Sequence, residues 1–322
     1  MTNTILRLGA AALLGVALAG TASAETIRLA YETSDTHLKA RTAAVFAEEL
    51  TKLTNGEVTV ETFPKSSLIP SRQEVNAAIR GQTEAIVPFI SYYESVAPSV
   101  KVFTMPMLFS DYDHLAKVWA GPIGNTIAEE LNAVGLKPLA FWYETPTHLF
   151  TTGTEVTNLG ELDGLKIRTY PSALLESTLT NLGAVATVIP GSELYVALQN
   201  NTVDGAITTP SFAQSLKLTE VLSTMTVVDL AFGGYIFAIN DRFFSGLSEE
   251  HQDAVLQAAE AATAWNQKEI ATEVDKTLEA MKSAGVTVLA LDDGDRDAWI
   301  EAVGPVYAEQ GPELQALIEL AQ

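Results

Sequence analysis

Apolar positions along the chain switch repeatedly between a period of two and a period near 3.6. Thr26 to Tyr31 reads as a strand. From Thr36 to Leu53 the apolar residues Leu38, Val45, Phe46, Leu50 and Leu53 follow helical spacing, and Asn55-Gly56 ends the run. Val58 to Phe63 alternates as a half-buried strand does, with Pro64 closing it. Pro70-Ser71 opens a second helix through Val75, Ala78 and Ile79 to Gly81. Ala85 to Ile90 reads as a third strand, in which Pro88 predicts an irregular end.

The same order recurs. Leu165 to Tyr170 is a predicted strand, Pro171 to Leu182 a helix, Ala186 to Pro190 a strand, Ser192 to Asn200 a helix and Gly205 to Thr209 a strand. The two passes echo each other: Glu74 to Ile79 followed by Glu84 to Val87 parallels Glu193 to Leu198 followed by Asp204 to Ile207. Two βαβαβ units predict an α/β protein of two lobes, each a mostly parallel sheet flanked by helices. One large doubly wound sheet is the competing arrangement. Further on, Ser248-Glu249-Glu250 caps a periodic stretch with no Pro or Gly up to Ala284, 37 residues or about 55 Å of helix. That exceeds one small lobe, so the helix is expected to bridge both, unless it breaks midway. The expected division is lobe I at 25–147 plus about 237–270, and lobe II at 148–236 plus about 271–322.

The first 24 residues carry a different pattern. Arg7, the apolar run Leu8 to Gly20 and the small residues Thr21-Ala22-Ser23-Ala24 form a basic, an apolar and a cleavage region in turn. The run is shorter than the roughly 20 residues that span a bilayer, so export with cleavage before Glu25 is expected, placing the mature chain in the periplasm. Losing Arg7 takes the formal charge from −21 to −22. Such a chain repels phosphate backbones, which argues against nucleic acid as a partner. The absence of cysteine removes disulfides, thiolate nucleophiles and sulfur-ligated metals. A monomer with no cofactor is the default.

Enzyme signatures are missing. His37, His114, His148 and His251 are far apart and never at metal-ligating helical spacing; there is no nucleophile elbow, phosphate loop or dinucleotide fingerprint. Arg168 stands out, because it lies near the carboxyl end of a predicted strand, where ligands bind in open α/β sheets. A guanidinium there can grip a carboxylate through two parallel hydrogen bonds. Pairing with a local Asp or Glu is the plainer alternative.

In Thr54-Asn55-Gly56 with Val58 to Pro64, Met105 to Phe109, Leu162 to Arg168, Ser192 to Gln199 and Val203-Asp204-Gly205, the chain resembles a known family. It is similar to the substrate-binding proteins of tripartite ATP-independent periplasmic (TRAP) transporters, the DctP-like group, over essentially the whole mature chain. The resemblance implies a two-lobed fold closing on a small organic anion and delivery to the membrane subunits of an ion-driven transporter. It also implies that Arg168 ligates the substrate carboxylate and that Thr208 stands where many relatives carry Asn. Relatives often have a second arginine in a Gly-x-Arg after the strand matching Leu139 to Trp142. Here that stretch is Glu144 to His148, with Thr147 or His148 in its place, which counts against a dicarboxylate or sialic acid.

The remaining pocket candidates are ranked by position. His37 follows the first strand; Phe89 and Tyr92 follow the third, with Ser91 between them; Trp142 and Tyr143 end the fourth; Phe212 and Phe232 lie near strand ends of the second lobe. Strand aromatics are core residues more often than ligand walls, yet small-molecule sites are mostly apolar with a few convergent polar groups. Arg72 and Glu193 open helices in the matching segments, where a surface role or the helix dipole explains them equally. Two rival functions stay in view: a solute-binding protein serving an ABC importer or a sensor, and a periplasmic enzyme acting on a small acid.

Overall fold

The structure, a computed structural model, describes residues 25–322. The expected leader, Met1 to Ala24, lies outside the described residues. Eleven strands occur among them, in chain order β1 (Glu25–Ala30), β2 (Val58–Phe63), β3 (Ala85–Ile86), β4 (Leu136–Tyr143), β5 (Thr147–Thr151), β6 (Lys166–Thr169), β7 (Val185–Val188), β8 (Gly205–Thr208), β9 (Thr224–Ala231), β10 (Gly234–Asn240) and β11 (Thr287–Ala290). They form two sheets, ordered β2-β1-β3-β10-β4 and β11-β9-β5-β8-β6-β7.

Each expected βαβαβ unit supplies a parallel run of one sheet: β1 pairs with β2 and β3, and β6 with β7 and β8, all in parallel, and β11 adds a further parallel pair with β9. The sheets are nonetheless mixed, because β10 runs antiparallel to β3 and β4, and β5 antiparallel to β8 and β9. The third strand is shorter than its apolar run predicts. It stops at Ile86, and the chain past Pro88 coils into a 3-10 turn at Ile90–Tyr93, since a proline cannot donate to the ladder.

Besides the return of the C-terminal segment to the first lobe, the lobes are joined three times. The chain crosses between β4 and β5 at Glu144–Pro146 and between β9 and β10 at Phe232–Gly233. The third link is the helix Glu249–Ser283, 35 residues without a break. Ser248 caps it by accepting the His251 amide, and Gly285 at φ +87° turns the chain away at its end. A stripe of Ala254, Val255, Ala258, Ala262, Asn266, Ile270, Thr277 and Met281 is buried along it. This helix packs on the helix Leu38–Leu53 and β4 in one lobe, and on the helix Pro210–Ser215 and β11 in the other. Buried Asn266 pins it to the crossover: Oδ1 accepts the Tyr143 amide at 2.6 Å, and Nδ2 donates to Thr42 Oγ1 at 3.3 Å and to the Tyr143 carbonyl at 3.4 Å.

The first lobe is built on Tyr31, Phe46, Phe103, Phe141, Trp142 and Phe237, and the second on Phe150, Leu194, Leu198, Met225 and Met281. The terminal helix Pro312–Ala321 does not stay with the second lobe, as a single division near residue 271 would have it. It packs on Pro98–Thr104 and Pro122–Ala133 of the first lobe, burying Ile318 and Ala321. Among the described residues no helix is long and apolar enough to cross a membrane.

Candidate functional site

Parallel strands of both sheets end at the gap between the lobes, and a cavity lies there. The first lobe lines it with Glu32, Phe89, Tyr92 and Tyr235, and the second with Arg168, Tyr170, Gly191, Thr208, Thr209 and Phe212. Its envelope, with the solvent at its mouth, is about 370 Å³.

Arg168, from β6, is 1% exposed. Its Nε donates to the Ile189 carbonyl at 2.8 Å, and the guanidinium carbon lies 5.9 Å from the Tyr170 ring centre. Among the described residues no carboxylate comes within ion-pair distance of it. Burial lowers its pKa from 12.5 to about 10, so it remains a cation near neutral pH. A buried charge without a counterion is costly, and an anion entering the cavity would offset that cost. The local-pair alternative for Arg168 is therefore not what the fold contains.

The helix Gly191–Gln199 begins at the same wall with no side-chain cap, so its first amides add partial positive charge there. Gly191 lets the Phe212 ring lie close: a Cβ there would come within 2.5 Å of Phe212 Cζ and force the ring to shift. Phe89 spans the two lobes, with its ring edge-on to Tyr170 at 4.9 Å and to Tyr235 at 5.6 Å. The pKa of Tyr92 is pushed up to about 12, chiefly by burial and then by the nearby Glu32 carboxylate, so its hydroxyl keeps its proton.

Behind the cavity Glu144 ties the lobes together. One carboxylate oxygen accepts from the Thr145 amide at 2.6 Å, the Thr145 hydroxyl at 2.9 Å and the Ser211 hydroxyl. The other accepts from Tyr235 Oη at 2.5 Å and faces His37 Nε2 at 2.9 Å. Burial alone would raise the Glu144 pKa, but His37 and these hydrogen bonds outweigh it and hold the pKa at about 2. Ser172 Oγ donates to Glu94 Oε1 at 2.6 Å and the Ser34 amide to Ser215 Oγ at 3.3 Å, so the lobes are closed on one another.

Of the residues singled out by position, Arg168, Thr208, Phe89, Tyr92 and Phe212 meet at the cavity. His37 does not: it is buried beside it, with Nδ1 capping its helix by accepting the Lys39 amide at 3.1 Å. Trp142 is core, packed on Phe237 at 4.8 Å with Nε1 donating to Thr263. Tyr143 stacks on Tyr112 at 5.3 Å and Phe232 meets the same ring edge-on, both off the cavity wall. Thr147 is buried at the start of β5, and His148 beside it takes the Asp229 amide on Nδ1 at 3.3 Å; neither lines the cavity. Arg72 and Glu193 are exposed, as residues on the outer faces of their helix starts must be.

Periodicity does not single out Glu32 or Tyr235. Glu32 follows β1 directly, so the strand-end reasoning that marks His37 reaches it too. Tyr235 opens an antiparallel strand contributed by a distant part of the chain, and no local pattern announces it.

Comparison with known proteins agrees with this geometry. The pattern of the bacterial extracellular solute-binding proteins, family 7 (DctP), matches residues 29–313. The C4-dicarboxylate-binding periplasmic protein DctP of Rhodobacter capsulatus is 33% identical over 98% of this chain and 96% of that protein. The ectoine/5-hydroxyectoine-binding periplasmic protein UehA of Ruegeria pomeroyi is 32% identical over 94% and 90%. A TRAP periplasmic solute-binding protein of Sulfurospirillum deleyianum, solved with bound succinate, superposes with a TM-score of 0.88 at 28% identity, covering 93% of this chain and 100% of that one.

Proposed function

The chain belongs to family 7 of the bacterial extracellular solute-binding proteins, and on that premise we propose that Arg168 captures the carboxylate of a small organic acid in the interlobe cleft. The protein is a periplasmic solute-binding protein of a TRAP-type transporter and hands its ligand to the membrane subunits. The reading rests most on a buried guanidinium that has no counterion among the described residues and faces a cavity walled by aromatic rings. Closure removes water from the ion pair and so strengthens it, while Thr208, Thr209 and Tyr92 supply hydroxyls around the solute. The ABC-importer and sensor alternatives are not favoured by the relatives.

In this reading Phe89, Tyr170 and Phe212 form the apolar walls, and Glu144 holds the closed state. Cleavage of the leader after Ala24 and release of the mature chain into the periplasm complete the assignment, with ligand bound stoichiometrically and not turned over. A thermal-shift screen of purified 25–322 against small organic acids tests it. A true ligand at about 100 times its Kd adds about 2.7 kcal/mol of stability and leaves the incubation chemically unchanged by NMR. Consumption of the acid, or no stabilisation by any carboxylate, would rule it out.

A further inference from the structure

The cavity holds a second charged wall opposite Arg168. Glu32, just past β1 in the other lobe, lines it with a carboxylate. Its Oε2 accepts Lys39 Nζ at 2.7 Å, while Oε1 accepts no hydrogen bond from the described residues. Lys39 has nothing left to offer a ligand. Its ammonium also donates to the Val87 carbonyl at 3.0 Å and sits 3.8 Å from the Tyr235 ring centre, and the residue is fully buried behind the cavity wall. Arg168 is thus the one cation lining the cavity among the described residues.

Glu74 lies nearby, completely buried, with neither carboxylate oxygen hydrogen-bonded by the described residues. Burial and then the neighbouring Glu32 push its pKa well above the usual carboxylate range. With Glu32 paired to Lys39, the positive charge on the cavity wall is that of Arg168. The site has one place for a carboxylate and, across the cleft, one open carboxylate oxygen that wants a donor.

We propose that Glu32 determines specificity: it accepts a hydrogen bond from an N–H or O–H group of the ligand and rejects a second ligand carboxylate. The protein then takes compact monocarboxylates carrying a donor, hydroxy acids or amino-type zwitterions, and not dicarboxylates. This rests on Arg168 holding the first carboxylate.

The test is calorimetry and thermal shift with matched short acids: 4-hydroxybutyrate and 4-aminobutyrate against succinate, extended to shorter and longer chains of each class. Every acid that binds in the native protein should belong to the donor-bearing set, with each dicarboxylate about 100-fold or more weaker than its matched partner. The hydroxy and amino arms separate an O–H from an N–H donor. Glu32→Gln removes the charge while keeping an acceptor, and should bring the matched dicarboxylate to within about tenfold. Because it strands Lys39, the double variant Glu32→Gln with Lys39→Met is measured beside it. A dicarboxylate bound as tightly as its donor-bearing partner overturns the proposal, as does a donor-bearing set that binds nowhere in the series. Arg168→Met distinguishes the two levels. If it abolishes binding while Glu32→Gln leaves discrimination intact, only the role of Glu32 falls; if it retains binding, the carboxylate assignment falls as well.

Discussion

Replacing Arg168 by methionine separates a ligand clamp from a structural arginine, because the two roles predict opposite effects on the empty protein. Burial brings the guanidinium pKa from 12.5 to about 10. At 1.36 kcal/mol per unit, the folded apo-protein bears a cost of ~3 kcal/mol for holding this cation. Removing it returns that cost but loses the charged hydrogen bond to Ile189, worth about 1.5–3 kcal/mol. Arg168→Met without ligand should therefore be as stable as the parent or up to about 2 kcal/mol more stable in urea unfolding. With ligand the sign reverses. Breaking a buried ion pair by removing one partner costs about 3–5 kcal/mol, so calorimetry should show affinity falling by between about 10² and 10⁴ for the acid that stabilises the parent most. Arg168→Lys should recover only part of this, since an ammonium lacks the two-pronged geometry. Affinity within tenfold of the parent, or an apo-protein weakened by more than about 2 kcal/mol, would refute the reasoning.

Two further outcomes follow from the same site. Gly191→Ala places a Cβ within 2.5 Å of Phe212 Cζ, forcing that ring to shift in a full cavity; overpacking of about 1–3 kcal/mol should weaken binding by roughly 5- to 150-fold with the fold intact, and parent-like affinity would show that Phe212 swings away freely. Glu144, with its pKa near 2 in place of 4.5, contributes stability that is fully present above pH 4.5 and is lost as pH falls toward 2, ~3 kcal/mol in all. Glu144→Gln should flatten that part of the stability–pH profile, and parallel acid losses in parent and variant would dismiss the carboxylate as the source.

Much was legible from the chain alone, and the reason is locality. Strand alternation in Val58–Phe63, the Asn55-Gly56 stop at φ +50° and +82°, and the uninterrupted Ser248–Ala284 run depend on neighbours in sequence, so the pattern carries them directly. The role of Arg168 toward a carboxylate came only with the family resemblance, whereas its place at a strand end was legible for a related reason, since it follows from the order of elements. The mixed character of both sheets was not, because β10 and β5 insert between strands far away in the chain, and antiparallel insertion leaves no local mark. Nor was the sorting of the aromatics. Trp142 and Phe89 both sit at strand ends, yet only packing decides that one fills the core beside Phe237 and the other faces the cleft. Charge balance is the furthest from sequence. That Lys39 pairs with Glu32, that burial pushes the Glu74 pKa up and that no described carboxylate pairs with Arg168 are facts of three-dimensional neighbourhood, set by desolvation and distance, which a chain of forty acidic residues cannot announce.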